Sequence, residues 1–308
     1  MIRPPAHSRL LGAAAGLLAD RLVGEPPVRM HPVAGFGRLM QRLEGKLYRD
    51  DRTAGVAYAA TGTAVAIASG LLLRSTAGVV GASAAGRMLR GRAQDIQHAL
   101  DEGSIDLARA ELPALVGRDP SELDESGIAA AVIESLAENT VDAVVAPALW
   151  GALLGAPGAA GYRAVNTMDA MVGHHSDRYE RFGWCSARLD DVSGLVPARM
   201  TAALVCVARP SRASAVREVI RRDAPAHPSP NAGVAEAAFA AALGVELGGK
   251  LRYGDRVEDR PLLGRGPRPV PNDITRAVRL ADQIEWALVA LLAGLGLAAL
   301  AARRKRER

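Results

Sequence analysis

Three carboxylates, Glu134, Glu138 and Asp142, recur at i, i+4 and i+8, a spacing that lays them along one face of a helix. They belong to residues 119–162, which hold seven carboxylates (Asp119, Glu122, Asp124, Glu125, Glu134, Glu138, Asp142) and no Lys or Arg. Like charges four residues apart on a helix repel by a few tenths of a kcal/mol, and nothing on the same helix offsets that cost in a chain of formal net charge +5. The stripe runs directly into an apolar stretch, residues 143–161. Uncompensated carboxylates at the edge of an apolar segment fit a cation or a cationic ligand. A solvated helix face paired with arginines from elsewhere fits equally well.

Other residues carry weaker signals. His31 follows the rigid turn Gly24-Glu25-Pro26-Pro27 and precedes Pro32, which could hold an imidazole at a helix start; a lone His there is more often structural. His174, His175 and Asp177 lie close behind Gly173, but neighbours on so short a loop rarely ligate one ion. Arg178, Arg181 and Arg188 are interleaved with Asp177, Glu180, Asp190 and Asp191. That pattern suits a salt-bridged surface or a phosphate clamp, since Arg offers paired donors. Gly244 to Leu251 (GVELGGKL) is one residue short of a P-loop. Leu251 replaces the hydroxyl that would meet Mg²⁺, and an Ala-rich helical run precedes the motif instead of a strand.

The elements that position these groups read as helices throughout. Residues 87–118 give two short amphipathic helices, with Ser104 as an N-cap. Asp119-Pro120-Ser121-Glu122 predicts a helix start, running through the acidic stripe to about residue 146, where Pro147 kinks or ends it. Ala156-Pro157-Gly158 reads as a turn, 162–171 and 233–243 as helices, 225–231 as loop and 262–271 as linker. No β-run is convincing and no internal repeat is visible. The predicted class is all-α.

Two segments meet the length test for a membrane span: residues 53–73, uncharged and bracketed by Asp50, Asp51, Arg52 and Arg74, and residues 286–302, with Trp286 at one end and Arg303, Arg304, Lys305, Arg306 at the other. Trp and basic flanks mark membrane interfaces. Residues 10–24, 143–161 and 192–208 are weaker candidates, the first and last interrupted by Asp20-Arg21 and Arg199. A polytopic helical membrane protein with polar helical loops, forming a single embedded domain over 1–308, is expected. The first apolar run carries an Asp-Arg pair and no clean cleavage site, unlike a signal peptide. Cys185 and Cys206 imply no disulfide framework. Basic residues are widely spread without interleaved aromatics, so a membrane surface or a phosphorylated substrate fits better than nucleic acid.

Taken in order, four blocks stand out: ESLAENT from Glu134, NTMDAMVG from Asn166, RFGWCSARLDD from Arg181 and SPNAG from Ser229. Together with DRLVGEPPVRMHP from Asp20, they resemble the adenosylcobinamide-phosphate synthase family, the CbiB-type membrane proteins of cobalamin biosynthesis, over nearly the whole chain (about 17–263). His174-His175-Ser176 departs from the Lys- or Asn-containing loop of the pattern, which counts against a catalytic role for those histidines.

The resemblance implies a ligase in the cell membrane, multi-pass, that joins the free propionate carboxyl of (adenosyl)cobyric acid to aminopropanol or its O-phosphate, with ATP as co-substrate. Neighbouring late-pathway enzymes are expected partners. A carboxylate must be activated before an amine attacks it, and phosphoryl transfer to it calls for Mg²⁺ held by one or two carboxylates and water. On that chemistry Glu134, Glu138 and Asp142 are expected to hold the metal, supported by Asp169, Asp190 and Asp191. Asn139, Asn166 and Asn231 would bond corrinoid amides or nucleotide, and Arg178, Arg181 and Arg188 the phosphates. His31 would serve as base for the amine. A membrane corrinoid carrier, or a non-catalytic pathway scaffold, is the rival reading, since carriers also place carboxylates within the membrane.

Overall fold

The computed structural model describes residues 4–27, 29–117, 119–253 and 256–307, without the side chains of 250–258. In chain order its elements are α1 (Ala6–Val23), α2 (Pro32–Leu47), α3 (Arg52–Leu73), α4 (Thr76–Ser83), α5 (Gly86–Asp101), α6 (Ile105–Glu111), α7 (Glu125–Thr140), α8 (Ala146–Leu154), α9 (Ala156–Val172), α10 (Trp184–Ala208), α11 (Ala213–Asp223), α12 (Ala232–Leu243), β1 (Leu247–Tyr253), β2 (Arg256–Leu263) and α13 (Pro271–Arg306). The predicted all-helical class holds, with one hairpin added. The chain clusters into two compact units, residues 1–85, 142–194 and 288–308 in the first and 86–141 and 195–287 in the second.

In the first unit the abundant small residues let helices touch backbone to backbone, as in membrane bundles. A Cβ at Gly70 of α3 would lie 2.5 Å from the Cα of Pro157 on α9, and one at Gly16 of α1 would lie 2.7 Å from the Cβ of Val80 on α4. The larger side chains gather in one cluster, where Tyr58, Phe182, Met40 and Met168 are buried with Val165 and Val172. The expected turn at 156–158 falls one residue earlier. Gly155 takes it with φ of 78°, and Pro157 stands in the first turn of α9, where its missing N–H costs nothing.

In the second unit α12 is buried on every side and packs against α7. Helix α7 begins later than the sequence suggests. Asp124 caps it by accepting the Gly127 N–H at 2.7 Å, while Asp119 spends its carboxylate on the Ser121 N–H at 2.9 Å. Two Asx-type signals five residues apart competed, and the later one starts the helix. The P-loop-like stretch is the antiparallel hairpin β1–β2, with an irregular register between Leu247 and Gly249. Gly248 and Gly249 have φ of 82° and 96°, a bulge geometry that glycine alone adopts without strain.

Among the described residues three helices, α3, α10 and α13, are long and apolar enough to cross a membrane. Only 28%, 39% and 33% of their apolar windows is buried in the protein, so most of that surface needs lipid. The Arg52 guanidinium lies 4.9 Å from the ring centre of Trp184, a basic and aromatic pair at the starts of α3 and α10 of the kind that marks an interface. The apolar stretch 143–161 is divided between α8 and α9 at Gly155, and each piece taken alone is shorter than the ~20 residues a span needs.

Candidate functional site

Helix α9 places Tyr162, Asn166 and Asp169 on one face by their i, i+4, i+7 spacing. Asp142 approaches that face from a π-helical turn, residues 141–145, ahead of α8. Such turns often occur at functional sites. Tyr162 donates its hydroxyl to Asp142 Oδ1 at 3.1 Å. Asn166 donates Nδ2 to Asp142 Oδ2 at 3.1 Å and to Asp190 Oδ1, on α10, at 3.3 Å. Arg163 donates Nη1 to Asn166 Oδ1 at 3.2 Å, which fixes the amide so that its NH₂ faces the two carboxylates. Burial first, then the charges of Asp142 and Asp191, push the Asp169 carboxyl up to about 6. Burial raises Asp142 too, against its bonds to Tyr162 and Asn166 and the charge of Arg163. The result is a nest of acids in the first unit whose charges burden one another.

The acidic stripe is divided in its roles. Glu134 is buried and accepts the Gly248 N–H at 2.8 Å. The glycine-rich stretch thus offers its amide to a carboxylate of α7. Glu138 is exposed, and Asp142 joins the cluster just described. Among the described residues no three His, Cys, Asp or Glu side chains are grouped to hold a metal ion. Two of the expected amides are engaged locally: Asn139 donates back to Ser135 O and Oγ at 2.9 and 3.1 Å, and Asn231 accepts from Arg199 at 3.3 Å.

The expected phosphate clamp is not assembled. Arg178 pairs with Glu44 at 3.0 Å and lies 4.1 Å from the ring centre of Tyr48, a packing role. Arg188 sits 3.6 Å from Asp191, and Arg181 is exposed. His175 pairs with Glu180 at 2.8 Å on the surface, while His174 packs edge-on to Tyr179. His31 Nδ1 accepts the Val33 N–H at 3.2 Å and caps α2. Its one lone pair is thereby occupied, which leaves the ring poorly placed to act as a base.

Several polar residues escaped the sequence reading. Tyr162 and Arg163 carry no motif signal beyond ending the acidic run and preceding Asn166. In the second unit His227 is buried, with Nε2 3.7 Å from Glu236 and 3.3 Å from Arg260 Nη1. Burial, the largest effect, and Arg260 lower its pKa against the bond to Ser229 and the charge of Glu134. Its place just before Ser229-Pro230-Asn231 was the available clue.

The family model described as CobD/Cbib protein matches residues 13–281. Three curated proteins, each named cobalamin biosynthesis protein CobD, are similar over most of their length. That of Mycobacterium tuberculosis is 44% identical over 91% of this chain and 93% of its own. That of Rhodobacter capsulatus is 45% identical over 81% and 84%, and that of Chromobacterium violaceum 44% over 92% and 94%. No solved structure matches.

Proposed function

Because the chain belongs to the CobD/CbiB family, we propose that it acts in cobalamin biosynthesis, as a ligase joining the free propionate carboxyl of (adenosyl)cobyric acid to aminopropanol or its O-phosphate at the expense of ATP. The carboxylate would attack the terminal phosphorus of ATP, releasing ADP, and the amine would then displace phosphate from the acyl carbon. The observation that supports this reading is the Asp142–Asn166–Asp190 arrangement, with Asp169 beside it. Mg²⁺ uses one or two protein carboxylates and takes its other ligands from phosphates and water, so Asp142 and Asp190 suffice, and a cation would relieve the mutual burden of these acids. Bound there, Mg²⁺ would supply charge neutralisation at the phosphates. Asn166 holds both carboxylates in place, Tyr162 orients Asp142, and Arg163 locks Asn166.

The same reading places the protein in the cell membrane as a multi-pass chain, using α3, α10 and α13. The test is condensation itself: purified protein with cobyric acid, aminopropanol O-phosphate, Mg²⁺ and ATP should yield a corrinoid of the condensed mass. That product should vanish when ATP or Mg²⁺ is withheld. A corrinoid that binds folded protein and keeps its mass would replace the ligase with a carrier.

A further inference from the structure

Within the first unit a groove of about 700 Å³ runs between α3, α8, α9 and α10, a size found among small-molecule sites. Ile67 and Leu71 of α3 and Leu154 of α8 wall it, and they are 40%, 39% and 41% exposed. Helix α3 is long and apolar enough to cross a membrane, with only 28% of its apolar window buried in the protein. A groove with such walls on such a helix opens toward lipid.

With one exception, the polar side chains along the groove are spent on the protein. Thr63 donates its hydroxyl to the Ala59 carbonyl at 2.8 Å, and Trp150 donates Nε1 to the Ser193 carbonyl at 3.1 Å. Ser193 gives its own hydroxyl to the Asp190 carbonyl at 3.2 Å, and Tyr162 gives its hydroxyl to Asp142. A ligand rich in hydrogen-bonding groups would leave them unmatched here, which costs affinity. The exception is Arg74. It caps the C-terminal end of α3, lines the groove and is exposed. Among the described residues no hydrogen bond or ion pair engages its guanidinium.

An apolar groove with one free cation matches an amphiphile, whose hydrocarbon takes the walls and whose anionic head takes the guanidinium. We infer that the groove holds an acyl chain of a bilayer glycerophospholipid of net negative charge, with the lipid phosphate on Arg74. Arginine suits that head because its planar donors pair with phosphate oxygens. The inference rests on the membrane placement of α3 in the proposed function and is independent of the ligase reaction.

The test uses full-length protein in nanodiscs and its own fluorescence. Of the three tryptophans, Trp150 lines the groove, so Trp184→Phe combined with Trp286→Phe leaves it as the reporter. Lipids brominated on their acyl chains quench a tryptophan that they touch. Brominated phosphatidylglycerol should quench Trp150 with an apparent affinity about fivefold above that of brominated phosphatidylcholine. Arg74→Gln should bring the two lipids to parity, and Arg74→Lys should keep part of the preference. Thr63→Phe, which fills the groove roughly 16 Å along α3 from Arg74, should reduce quenching by both lipids. Parity of the two lipids in the protein with Arg74 intact would overturn the inference, as would an unchanged preference in Arg74→Gln or unchanged quenching in Thr63→Phe. Leu71→Cys chains that cross-link to one another where wild-type chains do not, with Trp150 unquenched, would overturn it by giving the groove to a second copy. A variant that keeps only Trp286 separates the site from the membrane placement. Quenching of Trp286 without Trp150 would sink the lipid site alone, and quenching of neither would sink the placement in a bilayer with it.

Discussion

Asp169 is a carboxyl that the fold makes harder to ionise, held up to about 6 by burial and by the charges of Asp142 and Asp191, against an ordinary ~3.9. An acid whose folded pKa exceeds its unfolded one weakens the fold as pH rises from the unfolded value, and the penalty is complete above the folded one. Here it amounts to about 3 kcal/mol at pH 7 and above. Asp169→Asn should therefore raise the apparent Tm at pH 7.5, and the gain should fade as pH drops through 6 towards 4. A gain that does not change with pH would refute the ionisation account. Such a group is retained at a cost to stability, which is what a cation site requires. Asp190→Asn should likewise abolish Mn²⁺ binding, followed by electron paramagnetic resonance, while Glu138→Gln should keep it. The opposite result would restore the Glu134–Glu138–Asp142 stripe as the metal site. The i, i+4, i+8 spacing was legible in the sequence. The insertion of a π-helical turn at 141–145 was not, and it is what gives Asp142 its own partners.

Glycines set how closely the elements that carry these acids approach each other. A Cβ at Gly173, at the end of α9, would fall 1.8 Å from Asp169 Oδ1, and one at Gly183, just before α10, would fall 1.7 Å from the carbonyl oxygen of Val172. Gly173→Ala should displace the Asp169 carboxylate and reduce turnover with a small loss of stability. Gly183→Ala meets rigid backbone and should cost about 1–3 kcal/mol or more, as overpacking does, read as a drop in Tm. Equal effects of the two substitutions would show that Gly173 serves packing alone. The blocks NTMDAMVG and RFGW thus carry Gly173 and Gly183 for a steric reason that residue types announce but spacing cannot locate. Helices were legible from apolar spacing in α9 and from Ala-rich composition in α12. The β1–β2 hairpin was not, because Gly248 and Gly249 break the alternation by which strands are recognised. Its partner, the buried Glu134, lies 114 positions away in sequence.

At the scale of the whole molecule, the basic residues predict an orientation for the proposed spans. Arginines are abundant both in residues 209–279 and at the C-terminal end of α13, two stretches that one span would put on opposite sides. The first stretch, however, includes α11, α12, the hairpin and the start of α13, and long folded segments obey the positive-inside rule poorly. The short flanks decide. Between α10 and α13 the described residues hold no other helix long and apolar enough to cross, so two spans there are expected to run in opposite senses. The start of α10, near Arg178, Arg181 and Arg188, then shares a side with Arg303, Arg304, Lys305 and Arg306 at the end of α13. The positive-inside rule predicts that side to be the cytoplasmic one. Asp190 follows the start of α10 by six residues, roughly 9 Å along a helix, so the predicted orientation would put it on the side of cytoplasmic ATP. A green fluorescent protein fused after residue 308 should fluoresce, whereas alkaline phosphatase fused there should be inactive. Changing Arg303, Arg304, Lys305 and Arg306 to Gln should erode that bias. An active phosphatase at the wild-type C-terminus would put the acidic cluster at the far face of the membrane from its nucleotide, and the ATP-dependent reading would fail with it.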